Sequence, residues 1–418
     1  MQTALADFIK DTPEGRQADA ILRKCVHCGF CNATCPTYQL LGDELDGPRG
    51  RIYLMKQVLE GAPVTVNTQL HLDRCLTCRA CETTCPSGVQ YGHLVDIGRA
   101  IVDSKVPRSL TDRIKRRMLS LVLPRRALFG PLMFLGGMFR GLLPEVLASK
   151  IPEAVASAGS WPAPRHARRM LVLAGCVQPV LSPDINAAAA RVLDHIGISL
   201  SEVAGAGCCG ALRYHLNHQT DGLNDMRRLI DAWWPLVERG EVEAIVMTAS
   251  GCGATVKDYA HLFAGDANYR DKAERISALT RDLSEVLVAE RDRLMTLLAG
   301  RPASLAAATK VAFHAPCTLQ HGQKLRGGIE SLLTATGCEL TPVADAHLCC
   351  GSAGTYSLLQ PALSGRLKEA KLEALQSGAP QLIVTANIGC QNQLASGSTV
   401  PVRHWISVLD EALLQAHP

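Results

Sequence analysis

The sequence predicts a small helical domain built around cysteine, followed by an α/β domain present in two copies. Three observations carry this. Two runs, CVHCGFCNATCP at 25–36 and CLTCRACETTCP at 75–86, share one cysteine spacing and stand 50 positions apart. Beyond residue 169, MLVLAGC, AGCCG and AIVMTASGC recur as KVAFHAPC, HLCCG and LIVTANIGC, offset by 141, 141 and 138 residues. Within each copy, short apolar strands alternate with helical stretches, the pattern of a largely parallel sheet.

The totals narrow the classes open to the chain. Its 418 residues allow about three domains. Hydrophobic content of 47% with 20% charged residues describes an ordinary globular chain. A net charge of +4 and the lack of a dense basic run argue against a nucleic-acid partner. The 17 cysteines gather in motifs instead of spreading as a disulfide framework, which favours a reducing compartment and metal-bound thiolates. The opening residues, MQTALADFIKDTPEG, carry acidic groups and no long apolar core, unlike a secretory signal.

Taken in order, QADAILRK forms a helical lead-in to the first cysteine run. Asp46-Gly47-Pro48 marks a turn and helix start, and Ile52, Leu54, Met55, Val58 and Leu59 then recur at helical spacing. HLVDIGRAIVDSKV gives another helix after the second run, so the domain at 1–106 is expected to be helical. At 107–169 the chain is basic and apolar together. Arg113, Lys115, Arg116, Arg117, Arg125, Arg126 and Arg140 border its apolar patches. Such a segment either lies on an anionic membrane surface or packs on a partner subunit. Its charge-free run at 127–139 has 13 residues and contains Pro131, short of the ~20 needed to cross a bilayer. The two copies then occupy 170–300 and 301–418. INAAAARVLDHIG and GIESLLTATG read as their helices, and the motif cysteines fall past strand ends or at helix starts.

Each of the first two runs is C-x₂-C-x₂-C-x₃-C-P, the ferredoxin spacing in which the fourth cysteine serves the other cluster. Cys25, Cys28, Cys31 and Cys85 are therefore expected to hold one [4Fe–4S] cluster, and Cys75, Cys78, Cys81 and Cys35 the second. Zinc sites are usually closed by two separated C-x₂₋₄-C pairs, which these runs do not resemble.

The copies offer Cys176, Cys208, Cys209 and Cys252, and Cys317, Cys349, Cys350 and Cys390. Soft thiolates from three loops select iron–sulfur, zinc or copper(I), and at least one further iron–sulfur centre is expected. Glycine beside each CC pair would let the backbone approach such a centre. Cys338 has no counterpart and reads as core packing. His215, His218, His314 and His347 read as core or hydrogen-bonding residues, because cubane clusters are mostly thiolate-bound. Gly205-Ala206-Gly207-Cys208-Cys209-Gly210 formally matches G-x-G-x-x-G, but AHLCCG in the second copy lacks two of those glycines. With no Walker-type loop either, neither nucleotide nor flavin is expected on this chain.

The two ferredoxin runs followed by two CCG-type cysteine domains resemble the iron–sulfur subunits of membrane-associated hydroxyacid and glycerol-phosphate dehydrogenases, and of heterodisulfide reductases. CVHCGFCNATCPTYQLLGDELDGPRGRIYL, DRCLTCRACETTCPSGV, HAPCTLQH, HLCCGSAGTY and VTANIGCQ most resemble the glycolate oxidase iron–sulfur subunit family, over nearly the whole chain. One departure is the absence of a closing C-x-x-C pair: Ala249 and Asn387 stand three before Cys252 and Cys390. The resemblance implies an electron-transfer subunit that is inactive alone and peripheral on the cytoplasmic side of the inner membrane. Two FAD-binding partner subunits would oxidise glycolate to glyoxylate, with (R)-lactate as a second candidate substrate. Electrons would leave toward a membrane or quinone acceptor. A lactate or glycerol-3-phosphate dehydrogenase subunit, a heterodisulfide-reductase-like subunit and a redox-sensing protein are the alternatives.

Overall fold

A computed structural model describes residues 1–152, 154–299 and 309–414. The boundary expected between 300 and 301 lies outside the described residues. Among these residues, no strand precedes Arg168, so the first domain is helical as expected.

Its first helix, Pro13–Lys24, begins where the Thr12 hydroxyl accepts the Gly15 N–H at 3.0 Å, with Pro13 at the first position. The helices Pro48–Leu59 and Tyr91–Lys105 pack so closely that a Cβ at Gly98 would stand 2.5 Å from Met55 Sδ. Ile21, Leu22, Ile52, Met55, Leu59, Leu72, Leu94 and Val95 form the core, and Cys25, Cys75 and Cys81 are built into it. The cysteine runs are thus part of the domain's packing.

Two helices follow, Leu110–Val122 and Arg126–Met138, meeting at an angle of 109°. Among the described residues, no single helix is long and apolar enough to cross a membrane. The first buries little, and its exposed Leu110, Ile114 and Met118 recur every fourth residue, which sets them along one stripe. On the second, Leu128, Leu132, Phe134, Leu135 and Met138 are exposed. Arg116 departs from the expected basic border. It turns inward, buried, to Asp73 at 3.1 Å and Asp112 at 3.0 Å, joining Arg108, which pairs with the same two carboxylates at 2.6 and 3.0 Å.

The copies fold as two four-stranded parallel sheets of matching order. The first runs β2-β1-β3-β4, with β1 Arg168–Val172, β2 Ile198–Glu202, β3 Ala244–Met247 and β4 Thr280–Asp282. The second runs β6-β5-β7-β8, with β5 Lys310–His314, β6 Glu339–Leu340, β7 Leu382–Thr385 and β8 Val402–His404. The sheet begins at Arg168, so the basic stretch expected to reach residue 169 gives way to strand just before that point. One apolar core joins both sheets, from Val172 and Val246 to Val311 and Val384. Arg191 in the helix Asp184–His195 reaches Asp410 in the helix Trp405–Leu414 at 2.6 Å, closing the pair.

Candidate metal centres

Two pockets open among the first eight cysteines. One is lined by Cys25, Cys28, Cys31 and Cys85, with Val26, Ile52 and Tyr91 among the walls; Cys81 also reaches it. The other is lined by Cys75, Cys78, Cys81 and Cys35, with Leu76, Arg51 and Tyr91. Each pocket therefore collects three thiols of one run and the last thiol of the other. Four thiols in this C-x₂-C-x₂-C-x₃-C arrangement, three from one run and one from the other, are a donor set that fits a [4Fe–4S] cube.

The loops wrap the pockets by left-handed backbone. His27 and Gly29 have φ of 59° and 87°, and Thr77 and Arg79, at the matching places, 52° and 62°. Such turns aim N–H groups inward: the Thr77 N–H donates to Cys75 Sγ at 3.4 Å. The Tyr91 hydroxyl donates to the same sulfur at 3.6 Å. Burial pushes the Cys31 thiol up to about 11 and holds Cys78 and Cys81 well above the ordinary range. They ionise only when a cation takes the thiolate.

Sequence reading missed the charged hub beneath the second pocket. Arg51 is 1% exposed; it donates to the Thr37 hydroxyl at 3.1 Å and to the His71 carbonyl at 2.7 Å, and reaches Cys35 Sγ at 4.0 Å. Asp46, fully buried, accepts from Arg51 at 3.3 Å and from Arg74 at 2.8 Å, and lies 3.0 Å from His71 Nδ1. The hub puts positive charge beside a site that gathers anionic sulfur. DGPRGR showed only a turn and a helix start, since Arg51's partners come from three separate segments.

In the copies, Cys176, Cys208, Cys209 and Cys252 form a chain of side-chain contacts, and so do Cys317, Cys349, Cys350 and Cys390. Each set sits at the carboxyl ends of its strands. The close approach at the CC glycines is not to the thiols but to a long helix further on, Gln219–Glu238 in the first copy and Pro361–Gln376 in the second. A Cβ at Gly210 would meet the Gly222 carbonyl oxygen at 2.6 Å, and at Gly351 that of Ser364 at 2.6 Å; both glycines have φ of 81°. Cys338 is buried in the shared core, apart from both sets. His215 lies 3.2 Å from Asp96, the His218 N–H donates to the Arg213 carbonyl, and the His347 carbonyl lies 2.9 Å from His321 Nε2. His314 alone of the four stands beside thiols, with Cys350 and Cys390.

The helical domain docks on both copies. Toward the second, Leu76 packs with Cys317, Cys349, Tyr356 and Leu367, and Cys78 lies against them. The Tyr356 hydroxyl donates to the Arg74 carbonyl at 3.2 Å. Toward the first, His93 pairs with Asp258 at 2.9 Å and stacks on His261 with centroids 3.9 Å apart.

Comparison with known proteins finds one family match in the helical domain and two in the copies. Residues 21–89 match the family described as 4Fe-4S dicluster domain. Residues 170–257 and 311–395 each match the family described as Cysteine-rich domain. The glycolate oxidase iron-sulfur subunit of Escherichia coli (strain K12) is 56% identical over 413 residues, covering 99% of both chains. A probable glycolate oxidase iron-sulfur subunit of Bacillus subtilis (strain 168) is 31% identical, over 91% of this chain and 90% of the relative. Lactate utilization protein A of an Exiguobacterium species is 28% identical over 58% of this chain and 96% of its own length.

Proposed function

Because the chain belongs to the family of glycolate oxidase iron–sulfur subunits, we propose that it carries electrons for a complex whose FAD-bearing partner subunits oxidise glycolate to glyoxylate. The observation that carries this is the crossed pair of thiol pockets within a full-length match to that family. The chain is an iron–sulfur protein of two [4Fe–4S] clusters and a repeated cysteine-rich domain. Cys25, Cys28, Cys31 and Cys85 hold one cluster; Cys75, Cys78, Cys81 and Cys35 hold the other. When bound, each cluster supplies a one-electron redox centre.

The protein's part is to hold, shield and charge-balance. Ile52, Val89 and Tyr91 wall the first pocket from water. Arg51 and Asp46 fix the charge under the second, and the Thr77 N–H and Tyr91 hydroxyl hydrogen-bond its Cys75 sulfur, which tunes a cluster's potential. The second copy covers this pocket's far side with Cys317, Cys349, Tyr356 and Leu367, which pack on Leu76 and Cys78. We divide the chain at 1–106, 107–169, 170–300 and 301–418, the second segment being the contact with a peripheral membrane site on the cytoplasmic face, where a quinone-type acceptor takes the electrons. Relatives named for lactate utilization support (R)-lactate as a second substrate of the complex.

Purification of the tagged chain from its own cells should bring down two flavoproteins. Without them it should reduce no dye with glycolate, and activity should return on co-expression. Cys28→Ser or Cys78→Ser should lower that activity while leaving the complex assembled. A flavin-free single chain that oxidised glycolate would refute the reading.

A further inference from the structure

The two copies surround their thiols differently. His314 ends β5, three residues before Cys317; the matching residue in the first copy is Leu173. Thr385 and Asn387 stand where the first copy has Met247 and Ala249. Met226 and Leu367 both lie over the CC glycine, and this register places Lys371 at the position of Ile230. The first thiol set is thus walled by Leu173, Met226, Ile230 and Met247, all in one apolar cluster. The second faces buried polar groups: His314 is 1% exposed, Lys371 3% and Thr385 0%.

Lys371 Nζ donates to the Asp345 carbonyl at 2.7 Å, but the other two are not satisfied by their neighbours. His314 Nε2 and Thr385 Oγ1 are buried with no hydrogen-bond partner among the described residues. An orphaned buried polar group costs ~1–3 kcal/mol. The first copy shows that the same fold accepts leucine in place of His314, at no such cost.

Geometry gives the imidazole a partner. A ring nitrogen of His314 and the sulfurs of Cys350 and Cys390 lie within 4.8 Å of one another. Metal–sulfur bonds of ~2.3 Å and metal–nitrogen bonds of ~2.0 Å at tetrahedral angles set neighbouring donors ~3.5–4 Å apart, within reach of this arrangement. Among the described residues, no three of the eight ferredoxin thiols come so close, as a four-iron core between them requires. The two ends of the second contact chain have different surroundings. Cys317 and Cys349 pack with Leu76 and Tyr356, whereas Cys350 and Cys390 pack with Ala312, Leu372 and Ile383. Asn387 Nδ2 donates to Cys390 Sγ at 3.6 Å, the kind of contact that orients a ligating thiolate.

We propose that the second copy binds a single soft divalent ion of the zinc class through His314, Cys350 and Cys390, and that the first copy binds none. A four-thiolate iron–sulfur centre, expected from the cysteine pattern, would compete for the same Cys350 and Cys390, and the metal analysis separates the two. The zinc-class site does not depend on the ferredoxin clusters, whose iron is counted separately.

The test is metal and acid-labile sulfide analysis of the intact complex, purified anaerobically, with X-ray absorption at the zinc edge. About one zinc per chain should accompany about eight irons, with mixed nitrogen and sulfur ligation. His314→Leu, which installs the first copy's residue, should lower bound zinc at least tenfold and leave iron unchanged. His314→Cys should retain zinc, and Cys252→Ser should change neither metal. Zinc far below one per chain would overturn the proposal, as would zinc indifferent to His314→Leu, or iron near twelve that falls with Cys390→Ser. Should the leucine variant fail to assemble, an all-sulfur zinc shell in the unaltered complex would overturn it. Iron well below eight would instead count against the ferredoxin assignment alone.

Discussion

Cys85 shares a pocket with Cys25, at the start of the other run, and lines no part of the pocket that holds Cys75 and Cys78. The proline after each fourth cysteine turns the chain away from its own loop; Pro36 opens a helix directly after Cys35. The two pockets are therefore interlocked, each losing a wall if the other run moves.

This exchange predicts crossed phenotypes. Cys85→Ser should weaken the reduced EPR signal of the cluster held by Cys25, Cys28 and Cys31, and Cys35→Ser that of the other. Iron in each variant should fall by up to half, since a three-thiolate site loses its cube or keeps it in altered form. Selective loss of the Cys75–Cys78–Cys81 signal in Cys85→Ser would refute the crossing.

The buried hub gives a stability prediction. Asp46→Ala leaves the Arg51 guanidinium buried without its carboxylate, and removal of one partner of such a pair costs roughly 3–5 kcal/mol. The first transition in denaturant unfolding should shift accordingly, with the second pocket's cluster lost earliest because Arg51 stands beside Cys35. Exchange of surface-exposed Asp7, which pairs with Lys10, should cost less than ~1 kcal/mol in the same assay.

How much of this was legible in the sequence depended on whether the signal was local. The cysteine runs and the doubled strand-loop motifs are fixed spacings, so both the helical domain and the paired sheets followed from them. Cys35 and Cys85 could be assigned because the spacing itself encodes the crossing. Arg51, Asp46 and His71 could not, since the hub joins a 3₁₀ turn and two helices with no repeating interval. Arg116 read as one more surface cation; only the fold reveals Asp73 opposite it. His314 was set aside on the general habits of cubane clusters. The contrast with Leu173 was present in the sequence, but its meaning needed the distances to Cys350 and Cys390.

The contact between the helical domain and the first copy should loosen as pH rises. Burial alone would pull the His93 imidazole pKa down, but the hydrogen bond and charge of Asp258 outweigh it and hold it above the usual histidine range. Burial would raise Asp258, and His93 more than offsets this to hold it low. A raised histidine stabilises fully below its unfolded value of about 6.5 and loses that contribution as pH climbs through the folded value. Asp258 contributes above its unfolded range and loses only in acid, so the histidine governs the neutral window. Amide protection around Asp258, taken as the ratio of intrinsic to observed exchange rate at each pH, should fall as pH rises above about 6.5. His93→Ala should cost roughly 1–3 kcal/mol at pH 6 and flatten the profile; an unchanged slope would remove the pair from the account.

The exposed apolar surface after the helical domain yields the last prediction. Phe134 is 70% exposed and Leu142 83%, and Leu128, Leu132, Leu135, Met138 and Phe139 are exposed with them. A monomeric surface rarely leaves so many large apolar side chains in water. Arg113, Lys115, Arg117, Arg125 and Arg126 are exposed around them, a composition suited to an anionic bilayer surface. Burying one leucine or phenylalanine is worth ~1.5–3 kcal/mol, so replacing two with glutamate removes more than a tenfold factor in partitioning. Leu132→Glu/Phe134→Glu should cut flotation of the purified complex with vesicles containing anionic phospholipid by at least that factor. Dye reduction with glycolate in solution should persist, because neither residue lines a thiol pocket. If the double variant instead floats normally but no longer retains its flavoprotein partners, this surface is the subunit interface and the membrane contact lies elsewhere.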